Sequence, residues 1–199
     1  MLSRQQLRTE MRQRRQALSA ATQHSAALAL CQQILSQPDI MRQQHFALYL
    51  SNDAEINTSP LINALLNANK QLYLPVLHPF VSGYLLFQHY LPSMPMRTNK
   101  FGIAEPVWHC QHIKPVAELD VIFTPLVAFD DRGQRLGMGG GFYDRTLAPL
   151  NHLAAPARTP QLIGLAHNCQ QWPELPIAPW DQPMAAIATP SHFWRFNAD

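Results

Sequence analysis

Four of the chain's eight glycines fall within five positions, Gly137, Gly139, Gly140 and Gly141, inside the stretch Gly133 to Arg145, GQRLGMGGGFYDR. Glycines gathered where a strand gives way to a helix leave backbone N–H groups open to an anion, and the missing Cβ atoms let it approach closely. Two charged residues frame this loop. Arg135 can neutralise charge on a transferring phosphoryl group, and Asp144, in the first helical turn behind the loop, can hold Mg²⁺ against bound phosphates. Together they describe a nucleotide phosphate site. The order is not that of a Walker A loop, which needs Gly-Lys-Ser/Thr, nor is the spacing that of the GxGxxG dinucleotide fingerprint. The competing reading is a tight glycine turn with Asp144 capping its helix.

A second cluster of positive charge lies at the start of the chain. Arg4, Arg8, Arg12, Arg14 and Arg15 are opposed there only by Glu10, although the formal net charge of the whole is +2. On a helix, Arg4, Arg8, Arg12 and Arg15 share one face, which either meets an anion or is simply solvated. The arginines are few and no aromatic residues interleave with them, so a nucleic-acid partner is not expected. The nine histidines show no HExxH or paired-ligand spacing, and no zinc site is expected. Cys31, Cys110 and Cys169 stand far apart without a CxxC pair, as in a reducing compartment. No apolar run approaches the roughly 18 to 20 residues that span a bilayer. A soluble cytoplasmic protein with no membrane partner is expected.

The elements that must position these residues follow from periodicity. With 199 residues, 47% of them apolar and 14% charged, the chain suits a single α/β domain over 1–199. Ser3 with Gln6 reads as a capping box opening a helix to about Ala17, and a second helix from near Ser19 ends before Pro38, giving a helical hairpin at about 3–37. The run 45–51 reads as a strand. Thr58-Ser59-Pro60 opens a helix that Asn69 can close, and 71–77 returns as a strand, which makes a β-α-β unit. A strand follows at 84–91. The proline-scattered 92–115 reads as extended loop, and the nearly all-apolar 120–129 as a central strand leading into a turn at 130–133. After the glycine loop, a helix over 142–150 and strands at 161–166 and 185–188 complete a three-layer α/β/α architecture with a mainly parallel sheet.

The loop sequence RLGMGGGFYD resembles the hallmark of the 5-formyltetrahydrofolate cyclo-ligase family, Arg-Leu-Gly-x-Gly-x-Gly-Tyr-Tyr-Asp. The preceding PLVAFDDRGQ matches that family too, as do YLSNDAEINTSPLI, NKQLYLPVL, KFGIAEP and LPIAPWDQPMAAIATP, so the resemblance spans nearly the whole chain. It implies a fold like that of the sugar-phosphate isomerase and CoA-transferase group. It also implies an ATP- and Mg²⁺-dependent ring closure on 5-formyltetrahydrofolate, the alternative being an ATP-dependent kinase or ligase on another small molecule. Carried over by position, it places Arg4, Arg8 and the run Arg135, Leu136, Gly137, Met138, Gly139, Gly140, Gly141, Phe142 and Tyr143 on ATP. Leu50, Glu55 and Met138 to Phe142 fall on the folate, Asp144 with Asp181 on Mg²⁺, and the catalytic roles on Arg135 and Tyr143. Glu55 could otherwise be a surface acid, and Asp181 could cap a turn. The chain departs from the pattern in having Arg4 where lysine is frequent and Phe142 for the first tyrosine of the pair. A monomer is expected in preference to an obligate oligomer.

Overall fold

In a computed structural model the structure describes residues 2–152 and 159–196. Helix α1 (Arg4–Gln16) opens with the expected capping box, the Ser3 and Gln6 side chains each bonding the other's backbone N–H. Helices α2 (Ala20–Leu35) and α3 (Pro38–Met41) lead into strand β1 (His45–Ala47), followed by α4 (Ser59–Asn67) and β2 (Gln71–Leu77). Asn69, left-handed at φ 57°, closes α4 as its residue type suggested. Strand β3 (Leu85–Tyr90) runs back antiparallel to β2.

The segment expected to be loop instead holds a hairpin, β4 (Met96–Thr98) with β5 (Ala104–Pro106), and then β6 (Ile113–Lys114). Every residue of β4 is exposed, so no apolar alternation announces it. What ties the hairpin down is Glu105, fully buried, whose carboxylate accepts from Arg97, Asn99 and the Leu77 amide.

Strand β7 (Val121–Pro125) is buried along almost its whole length and stands fourth in the eight-stranded sheet, the centre that its apolar run implied. The apolar sequence continues past the strand, but β8 (Ala128–Phe129) turns out of that sheet to pair with β9 (Arg135–Leu136). Helix α5 (Phe142–Leu147) follows the glycine loop, then β10 (Gln161–Leu165), β11 (Ala186–Ala188) and β12 (Phe193–Arg195). Strand β12, not anticipated from the sequence, adds antiparallel to β11. The sheet order is β12-β11-β10-β7-β1-β2-β3-β6, with parallel pairing from β11 through β2.

Alternation across the central strands divides the core between two faces. Phe46, Phe123, Ile163 and Leu165 pack with Leu30 and Ile34 of α2 and Leu61 and Leu65 of α4. Ala47, Tyr73, Phe87 and Ile122 point to the opposite face and pack with Leu147 of α5. This is the three-layer α/β/α arrangement with a mainly parallel sheet. The two helices of the expected hairpin bury their apolar faces separately: Leu7 and Met11 of α1 pack on Val127, Ala128, Leu136 and Leu175. That docking sets the arginine face of α1 against the glycine loop.

Candidate active site

A cavity of about 920 Å³ lies between α1, the Leu50–Glu55 loop, the β4–β5 hairpin and the glycine loop. Arg4, Arg8, Leu50, Glu55, Arg135, Gly137 to Tyr143, Asp144 and Asp181 all line it, although they come from four separate parts of the sequence. Leu136 does not. Its side chain is buried in the cluster that receives α1.

The glycine loop has an uneven distribution of hydrogen bonds. Arg8 Nε donates to the Gly137 carbonyl at 2.8 Å, and Arg145 donates to the Gly140 carbonyl. Among the described residues, no amide from Gly137 to Gly141 donates to a protein acceptor. Two carbonyls are therefore held while the donors stay available, which is the arrangement that a polyanion needs. Gly139 and Gly141 have φ of 95° and 64°, where a side chain would be strained. Helix α5 ends at Leu147 and passes into a 3-10 turn over Ala148–His152, so it is shorter than the expected 142–150. With only six residues its dipole is small, and the amides themselves carry the positive potential.

Of the five arginines of α1, Arg14 pairs with Glu10 on the exposed side, and the four that share the other face differ in their partners. Arg12 and Arg15 both bind the Asp53 carboxylate, and Arg15, fully buried, also donates to the Asp53 and Leu126 carbonyls. They hold a loop. Arg4 grips both oxygens of Asp181. Arg8 has no carboxylate partner among the described residues, and burial together with the charge of Arg4 lowers its pKa. It is the cation best placed to gain from an incoming anion.

Across the cavity, Arg135 Nη2 donates to Asp144 Oδ1 at 2.6 Å while its guanidinium lies 5.7 Å from the Tyr143 ring centre. Among the described residues nothing bonds Asp144 Oδ2. Asp181 accepts from Arg4 and from the Ala178 amide, so it both caps a turn and pairs a cation. Burial opposes its ionisation, yet those hydrogen bonds and the nearby arginines outweigh it and hold the carboxyl below its usual range. Arg4, Arg135, Asp144 and Asp181 thus alternate in charge around one end of the cavity.

Glu55 is presented by a loop whose Asp53 and Ala54 are left-handed, at φ 50° and 56°. Burial pushes its carboxyl upward, and the charge of Asp53 adds to that. The Tyr49 and Tyr143 hydroxyls are buried nearby without hydrogen-bond partners among the described residues, and burial followed by the charge of Glu55 raises the pKa of both. Tyr49, Phe101 and Trp180 were not singled out in the sequence. Tyr49 lies within the apolar run 45–51, Phe101 sits edge-on to Phe142 at 5.5 Å, and Trp180 lines the cavity while two-thirds exposed. Only the neighbouring Leu50 and Asp181 gave any local sign of them.

The chain is similar to proteins with known names. The family model described as the 5-formyltetrahydrofolate cyclo-ligase family matches residues 1–190. A 5-formyltetrahydrofolate cyclo-ligase of Haemophilus influenzae is 49% identical over 184 residues, covering 92% of this chain and 96% of its own. One of Escherichia coli strain K12 is 44% identical over 186 residues, covering 94% of this chain and 100% of its own. Among solved structures, Aquifex aeolicus 5,10-methenyltetrahydrofolate synthetase superposes with a TM-score of 0.82 at 26% identity, covering 100% of this chain and 95% of that one. A 5,10-methenyltetrahydrofolate synthetase of Mycoplasma pneumoniae, at 21% identity and a TM-score of 0.72 over 95% of this chain and 99% of that one, shares the fold. The match over 190 residues and the two close relatives agree: this chain belongs to the 5-formyltetrahydrofolate cyclo-ligase family.

Proposed function

We propose that the cavity holds ATP and 5-formyltetrahydrofolate side by side, and that the protein closes the N5-formyl group onto N10 to give 5,10-methenyltetrahydrofolate, ADP and phosphate. One observation carries this reading: the row of glycine-loop residues from Gly137 to Gly141, whose amides have no protein acceptor among the described residues, lines a cavity also lined by Arg8, Arg135 and Glu55. The amides and arginines suit nucleotide phosphates. Leu50, Glu55 and Phe142 suit a polar heterocycle with flat faces.

The formyl oxygen is a poor leaving group, so direct attack by N10 stalls. In the proposed course the formyl oxygen attacks the γ-phosphorus and ADP departs. N10 then adds to the activated carbon and gives up its proton. Phosphate leaves with the C–O electron pair, and the methenyl bridge remains as a cation shared between N5 and N10. No covalent enzyme intermediate is required. The loop amides fix the γ-phosphate, Arg135 faces the charge that develops in transfer, and Tyr143 supports the Arg135 guanidinium from below.

Mg²⁺ fits the donors present. Asp144 offers a carboxylate oxygen with no protein partner among the described residues, and Asp181 stands in the same wall, two hard oxygen ligands of the kind that ion takes together with phosphates and water. When bound it neutralises charge on the β- and γ-phosphates. The same reading makes the protein a cytoplasmic enzyme acting as a monomer. The cytoplasmic part of it is supported by free thiols at Cys31, Cys110 and Cys169, as a reducing compartment keeps them.

The test mixes purified protein with Mg-ATP and 5-formyltetrahydrofolate and follows the near-ultraviolet absorption of the methenyl product. Absorbance should rise only with all components present. No change in a folded sample, or faster ATP consumption with another formylated compound, would replace this reading with that of a kinase or ligase on a different small molecule.

A further inference from the structure

Arg145 lies outside the residues lining the cavity, yet it joins the glycine loop to a distant turn. Its Nε donates to the Gly83 carbonyl at 3.0 Å and its Nη2 to the Gly140 carbonyl. The guanidinium also lies 5.8 Å from the centre of the Phe142 ring. Gly83 belongs to the turn between β2 and β3, some sixty residues earlier in the chain. Glycine at Gly83 and at Gly141, next to the second contact, leaves room for the guanidinium: a Cβ on Gly83 would fall 2.6 Å from it, and one on Gly141 would fall 2.8 Å from it. Both have positive φ, 87° and 64°.

This contact bears on the amides. In a trans peptide, C=O and the following N–H point in opposite directions. Arg145, which does not line the cavity, holds the Gly140 carbonyl, so the Gly141 N–H of the same peptide points away from that guanidinium. A loop free to rotate this peptide would present a carbonyl oxygen to the phosphate instead, and repel it. We propose that Arg145 is a positioning residue, a guanidinium staple between Gly83 and Gly140 that holds the glycine loop with its amides outward and thereby sets affinity for the nucleotide. The inference rests on the reading that the loop takes nucleotide phosphates. A lysine here would keep the charge but not the fork that reaches two carbonyls.

The experiment compares wild type with Arg145→Met, Arg145→Lys, Gly83→Ala and the double variant Gly83→Ala/Arg145→Met. Mg-ATP affinity without folate, KM for each substrate, kcat and apo melting temperature are measured. Arg145→Met and Arg145→Lys should both lose Mg-ATP affinity about tenfold, with KM for ATP rising in step and KM for 5-formyltetrahydrofolate within about threefold of wild type. The melting temperature should stay within about 2 °C for the arginine variants, because their side chain is exposed. Gly83→Ala, which displaces the same guanidinium from the far side, should show the same nucleotide defect, and the double variant should be no worse than either single one. Wild-type affinity in Arg145→Lys would mean that charge alone matters, and wild-type affinity in Arg145→Met that the contact is idle. Either overturns the staple, as does full additivity in the double variant. A wild-type protein that binds no Mg-ATP fails at a different point, on the nucleotide reading itself.

Discussion

The almost fully buried guanidinium of Arg135 and the carboxylate of Asp144 form one paired unit in the wall of the cavity, joined at 2.6 Å through a single carboxylate oxygen. Because the second oxygen stays open, the acid can serve the arginine and a cation together. Replacing Asp144 with Asn removes the charge but keeps the shape, which leaves Arg135 without its counter-ion. Asp144→Asn should raise the half-saturating Mg²⁺ for turnover about tenfold and lower kcat on the order of 100-fold. Its melting temperature should drop by only a few degrees, since Asp144 retains some contact with water. A Mg²⁺ titration of turnover beside a melting curve checks both, and unchanged turnover at unchanged Mg²⁺ would remove the metal role.

The glycines of the loop are not equivalent. A Cβ at Gly137 meets nothing within 4 Å, whereas one at Gly139 would press to 3.2 Å on Arg8 Cζ and would need the backbone to tolerate φ of 95°. Gly139→Ala should therefore cost about 1–3 kcal/mol and lower the apo melting temperature by about 2–8 °C. Gly137→Ala should leave it within about 1 °C. Equal melting temperatures would mean that the loop relaxes freely and is not held by Arg8.

Asp53 anchors the loop that presents Glu55, and its carboxyl is drawn down to about 2, first by the Arg12 hydrogen bond and then, against burial, by Arg15 and Gln16. The unfolded chain has this group near 3.9. A depressed folded pKa stabilises fully above the unfolded value and is lost as pH falls through the folded one. The melting-temperature gap between wild type and Asp53→Asn should accordingly be constant above about pH 5 and close between about pH 4 and 2. Asparagine also tolerates the left-handed backbone, so the gap reports charge and not strain. A gap independent of pH would show that Asp53 acts by shape alone.

Much of this architecture was legible in the chain, and the gaps have physical causes. Ser3 and Gln6 cap α1 by contacts three residues apart, so local sequence sufficed, and the buried run around Val121 to Pro125 marked the sheet centre by composition alone. Arg12 and Arg15 were visible as members of a helix face, but their partner Asp53 is about forty residues away and no periodicity connects them. The β4–β5 hairpin is fixed by the polar contacts of Glu105 and not by an apolar stripe. The family motif brought Arg135, the glycines, Glu55 and Asp181 together as candidates. Tyr49, Phe101 and the bridging Arg145 emerged only once the fold had closed around them.

His167 is buried at 2% exposure with its Nε2 atom unpartnered among the described residues, and burial together with the charge of Arg15 carries its pKa from 6.5 down to about 4. Between those values the unfolded chain takes up a proton that the folded protein refuses. Stability therefore falls as pH drops from about 6.5 to 4, by an amount on the order of 3 kcal/mol once the lower value is passed. Carboxylates titrate over part of the same range, so the comparison with His167→Gln isolates the imidazole. The variant loses packing by an amount that does not depend on pH, which offsets its curve without tilting it. Its melting temperature should fall less steeply than that of wild type between pH 6.5 and 4. Parallel curves would mean that the imidazole is charged in the folded protein as readily as in water, which the adjoining Arg15 guanidinium makes unfavourable.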